Sequence, residues 1–369
     1  MTREFAPSIF VHIVAYNSAP YLVPCLRSVL EQDSYQLGQD LFVRVTDNAS
    51  RDDSVAVLET EFGGKVEIHP NTANLGFCGG HNQGVRAFLD SSAAFLLILN
   101  PDVRLERDSL RKLASSLASD SRAGMACARL MRSDAQLNPV DPAVFDSAGI
   151  VMTPSLRHFD RGSGEVDSGQ YRTREYVFGG TGACLLLKRE CVLDLLVEEG
   201  DRASALFSLY PQLRDFPAQR APLFDEAFFA YREDADLAWR AELFGWKCIY
   251  EPLAVAYHKR VVLPERRSEL PDELNKLGVR NRFLLQLNNF TLGLGLRCLL
   301  EGLLIRNLLV ILGVLLRERS SLSGLAEAFA LAGRAWERRR RVFHKARDRR
   351  WSAGNLRRWF QHVPFAEKA

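Results

Sequence analysis

Apolar residues along the first hundred positions come in short runs, and each run stops at a polar cluster. Residues 9–15 (IFVHIVA) end at Tyr16-Asn17-Ser18, and residues 41–45 end at Thr46-Asp47-Asn48-Ala49-Ser50. Residues 94–99 end at Asn100-Pro101-Asp102. Between these runs, 21–30 and 53–62 repeat apolar positions at helical spacing, and 65–69 reads as a brief strand. Alternating strand and helix predicts an α/β fold, a mostly parallel sheet with helices on both faces. Ligands of such sheets bind beyond the carboxyl ends of the strands. Asn17, Asp47, Asn48, Asn100 and Asp102 are therefore expected along one edge.

A second pattern occupies residues 225–258. Asp225, Glu226, Glu233, Asp234 and Asp236 surround an aromatic run, after which Leu237, Ala241 and Phe244 recur at helical spacing and Gly245 stands where a C-terminal cap belongs. Glu233 and Asp234 fall at the start of this helix, where its dipole is expected to keep them ionised. An ionised carboxylate on a rigid element suits a general base; acids at a helix start are equally good caps. Between strand and helix, residues 74–84 (NLGFCGGHNQG) are rich in glycine but fit neither a dinucleotide fingerprint nor a GxxxxGK[ST] phosphate loop. They read either as backbone able to approach a diphosphate closely or as an ordinary flexible loop. Asp102, at a strand end, could hold Mg²⁺ or Mn²⁺ shared with substrate phosphates, or simply sit in a proline turn.

Beyond residue 263 the pattern changes. Residues 264–271 form a charged linker, and 272–289 look helical. Residues 297–316 hold thirteen Leu, Ile or Val but also Arg297, Glu301 and Arg306. On an insertion scale the aliphatics contribute roughly −4 to −8 kcal/mol against about +2.5 to +3.5 per central charge, so a clean membrane span is not expected. Residues 334–358 then carry eleven Lys or Arg against two acids, with Trp336 and Trp351 among them and Trp359 next in the chain. That segment suits an anionic lipid surface, or else a helical oligomerisation region with a solvated basic face.

Composition narrows the class. A chain of 369 residues with 47% hydrophobic content and a net charge of +3 can bury a large core. Seven scattered cysteines without a CxxC pair argue for reduced thiols and against a disulfide framework or structural zinc. No basic-aromatic pattern runs through the first part, so nucleic acid is not an expected partner. The N-terminus enters the first strand directly, and no signal peptide is read there.

Taken together, AYNSAPYLVPCLRSVLEQ, VTDNASRDDS, NTANLGFCGGHNQG, LLILNPDV, FGGTGACLLLKRE and FDEAFFAYREDADLAWRAELFGW resemble an inverting GT-A glycosyltransferase of family 2, of the rhamnosyltransferase-like branch. His258 and Arg280-Asn281-Arg282 match as well, and the pieces occur in family order over residues 9–285. The resemblance implies a catalytic domain over 1–262 and a C-terminal helical region over 263–369, membrane-associating or oligomeric. It implies Asp234 as catalytic base with Glu233 as its acidic neighbour. The expected donor site comprises Tyr16, Asn17, Asp47, Asn48, Asn74, Gly76, Asn82, Asn100 and Asp102. The acceptor side comprises Gly180, Thr181 and Gly182, and Asp102 and His258 hold Mg²⁺ or Mn²⁺.

The implied activity is transfer of a sugar, L-rhamnose from dTDP-rhamnose, to a hydroxyl of a lipid-linked or cell-envelope glycan. The protein would sit peripherally on the cytoplasmic face of the cell membrane. Galactose or galactofuranose from a UDP donor, or a non-catalytic nucleotide- or glycan-binding relative, are the alternatives. Where relatives carry a short helix and a Gly-Gly entry, residues 198–222 are longer and Pro222-Leu223-Phe224 replaces the glycines, which reads as an insertion over the acceptor cleft.

Overall fold

The computed structural model describes residues 7–214, 221–260, 271–348 and 356–360. The first six residues, 215–220 of the longer segment, 264–270 of the linker, and Arg349, Arg350 and Trp351 lie outside the described residues. The expected α/β order holds. Strands β1 (Ile9–Ala15), β2 (Leu41–Asp47), β3 (Glu67–Pro70) and β4 (Phe95–Leu99) make a parallel block in the order β3-β2-β1-β4. Helices α1 (Ala19–Leu30), α2 (Ser54–Phe62) and α3 (Gly76–Asp90) are the crossovers. The strands are buried on both faces: Ile9, Val11 and Ile13 of β1 pack with Leu97 and Leu99, while Phe10 packs with Leu96 and Ile98 on the other side. Each such side chain contributes about 1.5–3 kcal/mol by burial.

The sheet then becomes mixed. After β5 (Val103–Leu105) and α4 (Ser109–Ala118) come β6 (Ala123–Arg132), β7 (Phe145–Ser147), a hairpin of β8 (Ile150–Met152) and β9 (His158–Asp160), and β10 (Glu175–Val177). Strand β11 (Cys184–Lys188) enters antiparallel between β4 and β6. Two short helices, α5 (Arg189–Leu195) and α6 (Ser204–Leu209), precede α7 (Glu233–Phe244), which ends at left-handed Gly245 as its sequence predicts. Strand β12 (Lys247–His258) lies parallel to β6 and pairs its end with β5.

The glycine-rich segment is not a flexible loop. It forms the first turns of α3, and its glycines are contact points. A β-carbon on Gly84 would overlap the His12 ring, and one on Gly80 would lie 2.9 Å from Val14. Their absence lets α3 lie directly on β1. His12 Nδ1 and His81 Nδ1 meet at 2.9 Å beneath it, and burial keeps both rings below their ordinary pKa and therefore neutral.

The C-terminal region consists of α8 (Asp272–Asn289), a π-helical stretch (Cys298–Ile305) running into α9 (Arg306–Leu316), and α10 (Leu322–Asp348). The expectation of a solvated or lipid-facing basic stripe on α10 is corrected at several positions. Arg334 and Arg338 are buried. Arg334 Nη1 donates to Asp225 Oδ1 at 2.7 Å and Nε to Glu199 at 3.1 Å, and Arg338 Nε lies 3.4 Å from Asp225. Arg341 reaches Glu337, and Lys345 lies 3.4 Å from Asp194. The helix turns inward because residues 194–236 offer it buried carboxylates. Trp359 likewise packs on Phe178, with centroids 6.2 Å apart. All seven cysteines are buried and unpaired by disulfides.

The apolar helix behaves differently. Cys298–Leu316 is long and apolar enough to cross a membrane, with mean hydropathy 2.2, yet only 11% of it is buried. Leu304, Leu308, Leu312 and Leu315 stand exposed along it.

Breaking one partner of a buried ion pair typically costs about 3–5 kcal/mol. Arg334→Met should therefore lower the unfolding free energy by an amount in that range, and removing residues after Asn289 should abolish a cooperative melt. Urea titration of both variants checks this. A variant as stable as wild type would mean that Arg338 alone neutralises Asp225.

Candidate active site

The carboxyl ends of β1, β2 and β4 place their polar residues on one edge. Asp47 is buried at the end of β2, where Oδ2 accepts the Ser50 N–H at 2.9 Å while Oδ1 has no partner among the described residues. A buried carboxylate oxygen left without a donor is a place for one from a ligand. Asn17 takes a left-handed φ of 51° and accepts the Arg51 N–H at 2.8 Å, so two strand-end loops are tied together with Tyr16 exposed beside them. Asn100 lies at the end of β4, its N–H donating to Ala183 at 2.9 Å.

Strand pairing brings Asp102 and His258 together. Val103 of β5 faces His258 of β12 in register, and the Lys259 N–H donates to the Asp102 carbonyl at 3.0 Å. His258 Nε2 lies 3.4 Å from Asp102 Oδ1, while Nδ1 meets Asp146 Oδ2 at 2.7 Å. Burial opposes charge on the ring, but Asp102 and Asp146 outweigh it and push its pKa up to about 10. Arg260 Nε lies 2.8 Å from Asp146 Oδ1, and its Nη2 reaches Asp160.

One carboxylate and one imidazole whose far nitrogen is fixed by a second carboxylate suit a divalent cation completed by phosphate oxygens. Among the described residues no group of three or more His, Cys, Asp or Glu could hold a metal by itself. The donor set fits an ion carried in with a diphosphate.

The third part is the start of α7, which is reached through a strained turn. Phe229, Tyr231 and Arg232 adopt φ of 61°, 70° and 74°, each costing of the order of 1–3 kcal/mol. Asn281 Nδ2 lies 2.9, 2.7 and 2.8 Å from the carbonyls of Phe228, Ala230 and Tyr231, and Arg280 Nη2 donates to Phe228 at 2.9 Å. The turn delivers Glu233 buried and Asp234 half-buried. Asp234 Oδ2 accepts the Gly182 N–H at 3.3 Å and Oδ1 the Ala235 N–H at 2.7 Å.

The expected ionising effect of the helix dipole does not prevail here. Burial, then the neighbouring Asp234 charge, hold the Glu233 carboxyl well above its ordinary range. Burial and Asp160 push Asp234 up to about 6 against the Gly182 and Ala235 amides and Arg260.

Several expected donor contacts have other work. Asn48 donates to the Gly76 carbonyl at 2.9 Å and accepts from Asn71 at 2.9 Å. Asn82 bonds the backbone N–H and carbonyl of Phe224, each at 2.9 Å. Asn74 accepts the Gly76 N–H at 2.8 Å, and Gly76 takes φ 71° where a β-carbon would lie 2.5 Å from the Phe229 carbonyl. These residues spend their polar atoms on protein and join α3 to the strained turn. Gly180 and Gly182 allow close approach to Cys127 and Phe77, with Thr181 half-buried between them.

Asp225 and Asp236, which stand near Glu233 and Asp234 in the sequence, point away: Asp225 pairs with Arg334 and Asp236 accepts from Asn288 and Asn289 at 3.1 and 2.7 Å. Asp146, Asp160 and Arg260 were missed by the sequence reading. No local motif marks them, and only strand pairing and the β8–β9 hairpin bring them in.

Residues 10–176 match the family model described as Glycosyl transferase family 2. The structure of GalNAc-T7 with UDP, GalNAc and Mn²⁺ superposes with a TM-score of 0.53 at 12% identity, covering 77% of this chain and 48% of that one. The chain thus spans about half the length of that protein. Mannosyltransferase PcManGT from Pyrobaculum calidifontis in complex with GDP-Man and Mn²⁺ gives 0.47 at 16% identity, over 95% of this chain and 88% of that one. S. aureus TarS 1-349 gives 0.49 at 15% identity, over 95% and 90%. None of the curated proteins matches the chain. The family match and the sheet order make the fold GT-A-like, with the C-terminal helices added.

Because Asp160 raises Asp234, Asp160→Asn should shift the Asp234 titration to lower pH. Release of the Arg260 charge acts in the same direction. Carboxyl ¹³C NMR against pH reads the shift; an unmoved or raised midpoint would mean that the two carboxylates do not interact.

Proposed function

We propose that the chain is a metal-dependent inverting glycosyltransferase that moves a sugar from a nucleoside diphosphate donor to an acceptor hydroxyl. The observation that carries the reading is the convergence of three groups at one sheet edge. These are the partnerless oxygen of Asp47, the Asp102–His258 pair, and Asp234 presented by the strained turn. The family match over residues 10–176 and a GT-A-like neighbour that holds UDP and Mn²⁺ support it.

Asp47 would accept a hydrogen bond from the nucleotide base, with Tyr16 and Asn17 beside it. Asp102 and His258 would hold Mg²⁺ or Mn²⁺, and that ion would neutralise charge on the departing diphosphate. The acceptor hydroxyl would lie against Asp234 and the Gly182 loop. Asp234 takes its proton as the oxygen forms a bond to the anomeric carbon, on the face opposite the breaking bond to the nucleoside diphosphate. The configuration inverts in one step.

Asp234 suits this task better than Glu233. It is the more accessible of the two, and a pKa raised toward the working pH makes a stronger base that is still largely ionised at pH 7. Glu233, buried and held well above its ordinary range by burial and the Asp234 charge, stands beside it as its acidic neighbour.

The exposed apolar helix supports attachment to a membrane surface and hence a lipid-linked acceptor. Buried unpaired thiols fit the cytoplasmic side. dTDP-L-rhamnose remains the donor implied by the sequence resemblance.

A transfer screen with dTDP-, UDP- and GDP-sugars tests the proposal. Asp234→Asn should keep donor binding while transfer falls by at least about 10²-fold, the low end for a lost base. Full activity in this variant, with Glu233→Gln inactive, would move the base by one residue.

Asp102→Asn should weaken donor binding when metal is present, and His258→Ala should do so less. Equal affinity of wild type and Asp102→Asn, with no response to EDTA in either, would overturn the metal assignment.

A further inference from the structure

The C-terminal helices enclose a cleft that the transfer reaction leaves unused. It measures about 430 Å³, with Leu303 and Asn307 of the apolar helix on one side and Trp336 and Arg339 of α10 on the other. Helix α8 contributes Phe283 and Leu287. That volume falls within the roughly 300–1,000 Å³ of small-molecule sites.

The surface around the cleft is apolar too. Every fourth residue from Leu292 to Leu316 is a leucine, and all seven are exposed. In a regular α-helix that spacing winds around the axis; the wider π-helical turns of Cys298–Ile305 offset the drift. On α10, Phe329 and Trp336 stand two turns apart on one face, 85% and 56% exposed. Apolar area on both sides of one cleft marks a contact surface rather than scattered surface hydrophobes.

The polar groups in the cleft decide what it contacts. Gln286 and Asn307 satisfy each other: Asn307 Nδ2 donates to Gln286 Oε1 at 2.6 Å, and Gln286 Nε2 donates to Asn307 Oδ1 at 3.3 Å. Two groups are left over. Thr291 Oγ1 is buried and has no hydrogen-bond partner among the described residues. Arg339 forms no ion pair among them. Its Nη1 lies 3.5 and 3.4 Å from the carbonyls of Leu287 and Asn288, within a turn of Thr291, and its guanidinium rests on the Trp336 and Phe343 rings. Holding the end of α8 in this way occupies one nitrogen of a group with five N–H donors. Burial alone lowers the Arg339 pKa, a cost that an anion would offset.

An apolar slot calls for a hydrocarbon chain, and a guanidinium beside an unpaired hydroxyl calls for a phosphate. The cleft opens beside a helix long and apolar enough to cross a membrane, which brings both within reach from one source, a lipid. We propose that the cleft holds one hydrocarbon chain of an anionic membrane phospholipid, with its phosphate between Arg339 and the Thr291 hydroxyl. None of these residues belongs to the sheet-edge site, so a lipid seated here takes no part in sugar transfer. It would draw the protein to anionic bilayers and fix the rotation of the apolar helix against them.

The test titrates the full chain, in neutral detergent, with phosphatidylglycerol brominated on its acyl chains and reads tryptophan emission. Bromine quenches an indole only near contact, so Trp336 reports on the cleft, and Trp336→Phe should lose most of the quenching. Diacylglycerol brominated in the same way lacks the phosphate. It should need at least about tenfold more for half-quenching, as expected for a lost charge-assisted bond. Arg339→Gln should bring phosphatidylglycerol to that same level, and Arg339→Lys and Thr291→Val should weaken it less. Glycerol 3-phosphate should not reverse the quenching. A cooperative melt of each variant reports that it is folded.

Equal half-quenching by diacylglycerol, or unchanged quenching in Arg339→Gln, would overturn the phosphate site. Glycerol 3-phosphate that competes as well as the lipid would overturn its assignment to a lipid. Full quenching in Trp336→Phe would place the lipid outside the cleft. Absence of quenching would overturn the lipid altogether, and a sedimentation mass of two chains alongside it would assign the cleft to a second copy. Nucleotide-sugar binding, measured separately with Mn²⁺, bears on the transferase reading and on none of these outcomes.

Discussion

The side-chain amide of Asn281 holds the turn on which the candidate site depends. An amide carries two donor hydrogens, yet Asn281 Nδ2 lies within 3 Å of three carbonyls, at Phe228, Ala230 and Tyr231. Arg280 adds a further donor to the Phe228 carbonyl. Carbonyls turned to one side in this way require the left-handed backbone seen at Phe229, Tyr231 and Arg232. Strain of this kind persists only where its surroundings over-determine it, and here α8 does so from inside the core. The turn also sets which way α7 starts, and so where Asp234 meets the Gly182 amide. The C-terminal helices are therefore part of the site's frame.

Charge is distributed with the same selectivity. Five carboxylates crowd into residues 225–236, and leaving them all ionised in a buried place would be prohibitive. Arg334 and Arg338 neutralise Asp225, whose carboxyl is held well below the usual range by those cations despite its burial. Asn288 and Asn289 satisfy Asp236. Glu226 accepts from Asn82, and burial outweighs that bond and the Arg334 charge and lifts it to about 7. Among the described residues Glu233 and Asp234 have no direct hydrogen bond from a guanidinium or a side-chain amide. Their pKa values rise because burial and nearby carboxylates outweigh the backbone amides and the Arg260 charge.

The sequence made the strand–helix order, the sheet edge and the α7 cap legible because each is local. Apolar runs broken by polar clusters report strand ends, and a glycine after a helical repeat reports a cap. Glycine alone reports only that a side chain would be in the way. At Gly80 and Gly84 the obstacle is β1, not a phosphate, and nothing within residues 74–84 distinguishes the two. The basic residues of α10 show the same limit: their partners at Asp225 and Glu199 lie more than a hundred residues away. A run of arginines looks alike whether its acids are lipid headgroups or buried carboxylates. Asp146 escaped notice for a related reason, since its link to His258 exists only through strand pairing.

That correction changes how the proposed attachment to a membrane would work. With Arg334 and Arg338 committed inward, surface charge on α10 would contribute less to it than composition suggests. The exposed aliphatic helix, only 11% buried, would contribute more. It is also rigidly referenced to the chemistry. Gly302 seats it on the β8–β9 turn, Arg282 ties it to α8 through Asn307, and α8 holds the strained turn through Asn281. A helix lying in a lipid surface would thereby fix the height of Asp234 above that surface. The proposed membrane attachment and the proposed base would then both depend on one element, α8, and a change that loosens it should be felt at both.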